Sequence, residues 1–237
     1  MLEALRSERE IKDRHRNLLV AATGTGKTVV AALDYRNLCE QWKRRPRLLF
    51  VAHRKEILHQ ARRTFREVLK DADFGELLVD GAEPHRWDFV FASVQSLSAS
   101  RLEKLDPKRF DVVIIDEFHH AQAPTYNALL DHFQPRELLG LTATPERGDG
   151  ENVQRYFDYR VAHELRLWDA LRLQLLVPMH YYGIADGTDL SSLTWIRGKK
   201  DYNSRELSEF YIKAGEKRTR FIINELNRRV FDLSEMK

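Results

Sequence analysis

The residues best suited to chemistry begin with Lys27 and Thr28, which end the segment Ala21-Ala22-Thr23-Gly24-Thr25-Gly26-Lys27-Thr28. Glycines in such a segment let the backbone curl, so that successive N–H groups point at one anion. The lysine then reaches the β- and γ-phosphates of a nucleotide, and the threonine hydroxyl ligates Mg²⁺. Ala21 stands where this pattern ordinarily has glycine, and we take it as a tolerated small residue. We predict a phosphate-binding loop whose nucleotide-binding residues are Thr23, Gly24, Thr25, Gly26, Lys27 and Thr28.

A second candidate group is the acidic pair Asp116 and Glu117, which follows the strongly β-branched run Val112-Val113-Ile114-Ile115. Such a run is typical of a buried strand. An aspartate at its end can hold Mg²⁺, directly or through water. A glutamate beside it can orient and deprotonate the water that attacks the γ-phosphate. The sequence therefore predicts an ATP site with Lys27, Asp116 and Glu117 in catalysis and with Thr28 and Asp116 as Mg²⁺ ligands.

Polar residues beyond the acidic pair suggest a link between this site and its surroundings. His119 and His120 follow directly, but no cysteine cluster or His-Glu-x-x-His spacing supports a zinc site there. We interpret His119 as a polar connection from the ATP site to the next loop. Thr142 and Thr144 flank a small residue after another apolar run, and their hydroxyls can bond the acidic pair or a partner domain. We therefore predict a coupling role for His119, Thr142 and Thr144.

These groups require elements that position them, and the first 150 residues alternate between two patterns. Short apolar runs predict strands at residues 18–22, 48–52, 75–79, 89–92, 112–115 and 138–141. Helices are predicted within residues 1–16 and at 28–42, 54–70, 94–105 and 124–132. The alternation indicates an α/β fold, a doubly wound parallel sheet with helices on both faces. In such sheets ligands bind at the carboxyl ends of the strands, where the polar groups above should meet.

The pattern changes after Gly150. We predict a helix at residues 168–176, a strand at 179–184, a loop at 186–200 and one or two amphipathic helices at 204–230.

Composition limits the class of protein. Residues 1–70 carry 17 Lys and Arg against 8 Asp and Glu, which is compatible with binding a polyanion, although solvated helix faces also account for such charge. Cys39 is the single cysteine, so an intramolecular disulfide is excluded and a reducing cytoplasm is expected. The chain has no apolar run of membrane-spanning length and no signal-peptide pattern, so we expect no membrane partner.

Taken together, the motifs resemble those of the superfamily 2 helicases. Ala22 to Thr28, Asp116-Glu117-Phe118-His119 and Leu141 to Arg147 are similar to motifs I, II and III. Their Asp-Glu-x-His and Thr-Ala-Thr-Pro-Glu-Arg forms resemble the branch that contains restriction-enzyme motor subunits and related bacterial DNA repair and defence helicases. Residues 50–58 and 91–97 resemble motifs Ia and Ib.

The resemblance implies a RecA-like P-loop ATPase domain that uses ATP and Mg²⁺ and contacts one strand of nucleic acid. The positions that match the nucleic-acid motifs are His53, Arg54, Ser93 and Gln95. On this basis residues 1–150 are the first RecA-like domain, 151–176 a linker and 177–237 the incomplete start of a second RecA-like domain. DNA is favoured over RNA by the resemblance alone, and a fused nuclease domain is compatible with it.

The family's second RecA-like domain supplies arginines in a Gln-x-x-Gly-Arg-x-Gly-Arg motif, and the chain has no match to it after residue 150. We therefore expect the chain to bind nucleotide and hydrolyse it very slowly. An RNA-remodelling ATPase and a non-motor ATP-gated nucleic-acid clamp remain as alternatives. A small-molecule kinase is disfavoured, because it would not explain Asp-Glu-x-His together with Thr-Ala-Thr.

Overall fold

A computed structural model describes residues 1–118, 124–144, 153–179, 181–184, 189–196 and 201–229 of the chain. It divides into two compact units, Met1–Pro178 and Met179–Lys237. The site residues predicted above all belong to the first unit.

A seven-stranded parallel sheet forms the centre of the first unit. Its strands are β1 (Arg16–Ala21), β2 (Leu48–Ala52), β3 (Glu76–Leu78), β4 (Phe89–Ser93), β5 (Val112–Ile115), β6 (Glu137–Thr142) and β7 (His163–Leu165). Their order across the sheet is β3-β4-β2-β5-β6-β1-β7. Because all seven run in one direction, the loops after β1, β2, β4, β5 and β6 emerge at the same edge.

Helices cover both faces of this sheet, as the sequence predicts. They are α1 (Leu2–Glu10), α2 (Lys27–Trp42), α3 (Lys55–Leu69), α4 (Ala99–Leu102), α5 (Pro124–His132) and α6 (Leu167–Arg172). Helices α1, α2 and α3 pack with one side of the strands, and α4 and α5 pack with the other. Neighbouring residues of one strand divide between the two cores: Leu49 and Val51 face α5, whereas Phe50 faces α3. The α/β P-loop NTPase fold is thus confirmed.

Ion pairs fasten α1 to the rest of the unit. Arg9, whose side chain is only 8% exposed, donates two hydrogen bonds to Asp34 of α2 at 2.6 and 2.7 Å and one to Glu137 of β6 at 2.7 Å. Glu137 is also 2.6 Å from His15 Nδ1. The opening helix is therefore tied to both its neighbouring helix and the start of a central strand.

One predicted helix of the first unit, at residues 94–105, is wrong. A 3₁₀ turn at Val94–Ser96 is followed by the single helical turn α4. The Ser93 hydroxyl accepts a hydrogen bond from the Ser96 N–H at 3.2 Å and so caps the 3₁₀ turn. Serine side chains that bond nearby backbone groups compete with a continuous helix, which explains the break.

The structure also differs from the prediction of a linker at residues 151–176. Strand β7 pairs with β1 through Leu19, Val20 and Ala21, and the 3₁₀ segment Val153–Phe157 lies against the same sheet. Phe157 is fully buried, and a Cβ atom on Gly140 of β6 would come within 2.5 Å of its ring. The described part of this segment is therefore integral to the first unit, which ends at Pro178 rather than near residue 150.

The second unit contains the antiparallel pair β8 (Trp195–Ile196) and β9 (Asp201–Tyr202) and the helix α7 (Ser204–Arg229). Residue 179 and residues 181–184 lie in no strand, so the strand predicted there is wrong, and β8 interrupts the predicted loop. Tyr181 and Tyr182, which suggested the strand, are 89% and 56% exposed, so they do not belong to a buried strand. The amphipathic segment forms one continuous helix where it is described. No helix among the described residues is long and apolar enough to cross a membrane.

Candidate functional site

The predicted phosphate-binding loop joins the end of β1 to the start of α2. Gly24 and Gly26 have φ angles of 86° and 82°, a region that other residues seldom adopt, and Gly26 is the N-cap of the helix. The Thr25 hydroxyl donates to the Ala22 carbonyl at 2.7 Å and closes the turn. Thr23 is exposed and Thr28 is partly buried in the first turn of α2. The loop therefore presents backbone N–H groups and a helix N-terminus, which together favour a phosphate group.

Lys27 is the buried cation of this loop, with only 9% of its surface exposed. Its Nζ donates a hydrogen bond to the Ala21 carbonyl at 3.0 Å and lies 3.5 Å from the Ala22 carbonyl. Both acceptors are neutral backbone groups of the same loop. A phosphate oxygen would be the stronger acceptor for an ammonium group, because a charge-assisted hydrogen bond is stronger than a neutral one.

The acidic pair lies at the end of β5, separated from β1 by β6 alone. Asp116 is 5% exposed, and its own N–H donates to the Val51 carbonyl at 2.9 Å, which fixes it to the neighbouring strand. Its Oδ1 accepts a hydrogen bond from the Glu117 N–H at 2.9 Å. Glu117 is half-buried and has a φ angle of 52°. The chain thus turns sharply between the two carboxylates and gives each a different environment.

Burial raises the pKa of Asp116 to about 6. The hydrogen bond from the Glu117 N–H lowers it, the Glu117 charge raises it further and the Lys27 charge lowers it. Removing a carboxylate from water disfavours its charged form, and burial prevails over the two stabilising contacts here. A divalent cation beside Asp116 would favour the charged form again.

The residues present fit a Mg²⁺ ion. Thr28 offers a hydroxyl and Asp116 a carboxylate, and Mg²⁺ is commonly held by one or two carboxylates together with substrate phosphates. Among the residues described, no group of three or more His, Cys, Asp or Glu side chains could hold a metal ion by itself. The donors therefore suit a nucleotide-bound Mg²⁺ better than zinc.

The three residues predicted to couple the site to its surroundings differ in their positions and contacts. Thr142 is fully buried at the end of β6, between the strands that carry the phosphate-binding loop and the acidic pair. Its hydroxyl donates to the Thr144 carbonyl at 3.1 Å and accepts from the Thr144 N–H at 3.2 Å, so it shapes the turn itself. Thr144 is exposed. His119 lies outside the described residues.

The predicted nucleic-acid residues form a second group at the same edge, after the adjacent strands β2 and β4. Gln95 Nε2 and His53 Nδ1 are 2.9 Å apart, so these two side chains meet. Arg54 is exposed and is the N-cap of α3. Ser93 is only 6% exposed, and its hydroxyl bonds the Ser96 N–H and Oγ. Three of the four residues therefore present side chains at the surface, whereas Ser93 holds the turn beneath them.

Two residues at this site were not predicted from the sequence. Leu176 Cδ2 comes within 3.1 Å of the position that a Cβ on Gly24 would occupy, so the segment after α6 packs against the phosphate-binding loop. Tyr126 of α5 is 1% exposed; its burial raises its pKa, and the charges of both carboxylates of the acidic pair raise it further. No local pattern marks either residue, because each reaches the site through tertiary packing.

The comparisons with known proteins identify the family. The family described as "Type III restriction enzyme, res subunit" (ResIII) matches residues 1–147. The chain belongs to this family. It is a superfamily 2 helicase domain related to restriction motor subunits, as the motifs indicate.

Three relatives of this ResIII chain illustrate the relationship. It is 32% identical over 179 residues to "Putative mitochondrial ATP-dependent helicase irc3" of Schizosaccharomyces pombe, covering 71% of this chain and 29% of that protein. It is 26% identical over 205 residues to the type I restriction enzyme EcoAI endonuclease subunit of Escherichia coli, covering 83% of this chain and 25% of that protein. A solved fragment of a putative HsdR subunit of a type I restriction enzyme from Vibrio vulnificus is 28% identical, with a TM-score of 0.54, over 72% of this chain and 30% of that one. The chain thus spans less than a third of each of these three relatives.

Proposed function

We propose that this chain is the ATP-binding half of an ATP-dependent DNA helicase or translocase, in which ATP hydrolysis drives movement along nucleic acid. The observation that carries the proposal is the meeting of three polar groups at the ends of the adjacent strands β5, β6 and β1. A nucleotide phosphate, its metal ion and an attacking water need such donors and acceptors at one place. The separate set of polar residues after β2 and β4 (His53, Arg54 and Gln95) gives the same edge of the sheet a surface that can bind another ligand.

Within this proposal each residue of the ATP site has a role. Backbone N–H groups of the loop hold the phosphates, together with the side chains of Thr23 and Thr25, and Lys27 moves from its loop carbonyls to the β- and γ-phosphates. Thr28 and Asp116 hold Mg²⁺, which when bound neutralises phosphate charge. Glu117 orients the attacking water and accepts its proton. Thr142 carries changes at the acidic pair into the loop that contains Thr144, and we assign His119 to the same coupling.

We further propose that the second unit, Met179–Lys237, begins the second RecA-like domain that the sequence predicts at residues 177–237, and that the chain by itself binds Mg·ATP but turns it over slowly. All the site residues assigned above belong to the first unit, Met1–Pro178. Phosphoryl transfer in this class gains about 10³–10⁵ in rate from an arginine finger.

The lone cysteine fits a cytoplasmic protein. Some relatives are restriction-enzyme subunits, and this is compatible with a nuclease domain fused to the chain.

His53, Arg54 and Gln95 are the groups that we assign to the nucleic-acid backbone. Arginine, histidine and amide side chains are common phosphate ligands, and such contacts position a strand without reading its sequence. DNA is favoured over RNA because restriction endonuclease subunits are among the relatives. An RNA-remodelling ATPase and an ATP-gated clamp remain the competing proposals.

Binding of single-stranded DNA and RNA of equal length, with and without Mg·ATP, tests this proposal. We expect DNA binding that weakens with salt, and Arg54→Ala should reduce the slope of log affinity against log salt by about 1. Arg63→Ala is the matched control, because Arg63 lies further along the same helix and pairs with Glu67. Preference for RNA would favour the remodelling ATPase, and equal slopes for both variants would remove Arg54 from the interface.

A further inference from the structure

The Tyr126 hydroxyl is a buried polar group that the roles assigned so far leave unused. Tyr126 lies on α5, and its ring packs in the core cluster that also contains Ile115 and Phe118, the residues on either side of the acidic pair. The residue is 1% exposed, and its hydroxyl has no hydrogen-bond partner among the described residues. A hydroxyl removed from water without a partner costs free energy, so such a group calls for a physical reason.

The surroundings of this hydroxyl indicate what it can bond. Burial raises the pKa of Tyr126, and the charges of Asp116 and Glu117 raise it further, so the phenol stays protonated and remains a hydrogen-bond donor. Because the ring packs with the two residues that flank the acidic pair, the acceptors of matching chemistry on this side of the sheet are its carboxylate oxygens.

A second buried tyrosine of the same unit shows the ordinary arrangement. Tyr35 is fully buried, but its hydroxyl donates to the Pro46 carbonyl at 2.7 Å. The two residues thus have the same side chain and the same burial, and they differ in whether the hydroxyl is bonded. Tyr35 is a matched control for Tyr126.

We propose that the Tyr126 hydroxyl positions Glu117 by donating a hydrogen bond to its carboxylate when Mg·ATP is bound. The inference rests on the proposed function, since it needs a nucleotide in the site. Asp116 is the weaker candidate as acceptor, because its Oδ1 already accepts the Glu117 N–H and the residue is assigned to Mg²⁺. Glu117 is half-buried at the sharp turn after β5, so its carboxylate is less enclosed than that of Asp116.

A hydrogen bond of this kind would fix the rotamer of the general base. The phenol is anchored in the core through α5, so it offers a rigid reference point beside a turn. Rigid support of a catalytic carboxylate holds the attacking water in one orientation, which is how a positioning residue contributes to rate. Tyr126 would act through Glu117 and would touch neither the nucleotide nor the water.

The test combines urea unfolding with calorimetric titration of ATP, in Mg²⁺ and in EDTA, for the wild type, Tyr126→Phe and Tyr35→Phe. For Tyr126→Phe we expect an unfolding midpoint equal to or above that of the wild type without nucleotide, and a Kd for Mg·ATP about fivefold weaker. In EDTA its ATP affinity should equal that of the wild type. Tyr35→Phe should show the opposite pattern, a lower midpoint with an unchanged Kd.

A double-mutant cycle with Glu117→Ala identifies the acceptor. If the hydroxyl acts through Glu117, Tyr126→Phe causes no further loss of Mg·ATP affinity in the Glu117→Ala background. A lower unfolding midpoint for Tyr126→Phe, an unchanged Kd or a loss that persists in Glu117→Ala would each overturn the inference. A wild-type chain that does not bind Mg·ATP would instead refute the proposed function as well.

Discussion

The two carboxylates of the acidic pair are neighbours in sequence but have different environments. Asp116 is almost fully buried and has a pKa near 6, whereas Glu117 is half-buried and follows it at a φ angle of 52°. A carboxylate buried in this way suits a divalent cation, which removes the cost of its charge. A carboxylate beside it with access to solvent suits proton transfer to and from water. One strand end is thus suited to the two roles that we propose.

Glu117→Gln tests the assignment of the general base. The amide keeps the size of the side chain and can adopt the same backbone conformation, so the Kd for Mg·ATP should stay within about threefold. The single-turnover rate of γ-labelled ATP, which we expect below about 1 s⁻¹ for the wild-type chain, should fall by about 100-fold or more because general-base catalysis is lost. A variant that keeps the wild-type rate would show that another group takes the proton.

Prediction from sequence was most complete for residues whose positions in the fold follow from local order. Asp116 and Thr142 stand at the ends of apolar runs, and Lys27 ends the loop that follows one. Parallel strands bring such ends and loops to one edge. Tyr126 could not be found in this way, since an inward-facing tyrosine on a helix looks like any core residue. Ser93 lies at a strand end, as predicted, but its hydroxyl accepts a hydrogen bond from the Ser96 N–H in the next turn.

At the scale of elements, His15, between α1 and β1, makes a pH-dependent contribution to stability through Glu137, the carboxylate that also binds Arg9 of α1. Burial alone would lower the pKa of His15, but hydrogen bonds and charges from Glu137 and Asp13 raise it above its ordinary value. A histidine whose pKa is raised on folding stabilises the protein fully below its unfolded pKa, about 6.5. This contribution is lost as the pH rises through the higher folded pKa.

His15→Gln should therefore remove part of the pH dependence of unfolding. We expect the wild type to be more stable than the variant at pH 6, with the difference shrinking toward pH 8. The difference should be below about 1 kcal/mol, because the His15 side chain is 38% exposed and solvent screens the pair. Urea unfolding at both pH values measures it. His59→Gln, at an exposed position on α3, is the matched histidine-to-glutamine control.

The elements that the sequence failed to predict are short and depend on distant partners. Strand β7 has only three residues, too few for a clear strand pattern in the sequence, and it forms because it pairs with β1. The opposite error occurs around Met179 and Tyr181, where aromatic and apolar residues suggest a strand but stay exposed. Long helices such as α3 and the fully buried strand β2 were predicted to within about two residues, because their periodicity is strong.

At the scale of the whole molecule, the sheet edge of the first unit holds two separate polar groups. The group after β5, β6 and β1 contains the acidic pair and Lys27, and the group after β2 and β4 contains Arg54, His53 and Gln95. The central strands β2 and β5 are hydrogen-bonded neighbours. In the proposed function, a change at the first group would therefore have a short route to the second group, which is what a nucleic-acid motor requires of its first domain.

In the proposed function, the loop before α2 binds the phosphates of ATP through Lys27. Equilibrium titration of Mg·ATP into the wild-type chain and Lys27→Ala tests it most directly. We predict saturable binding by the wild type that Lys27→Ala weakens by 100-fold or more, on the order of 3 kcal/mol, since a buried charge-assisted contact to phosphate is lost. Equal affinity of the two proteins for Mg·ATP would contradict the account.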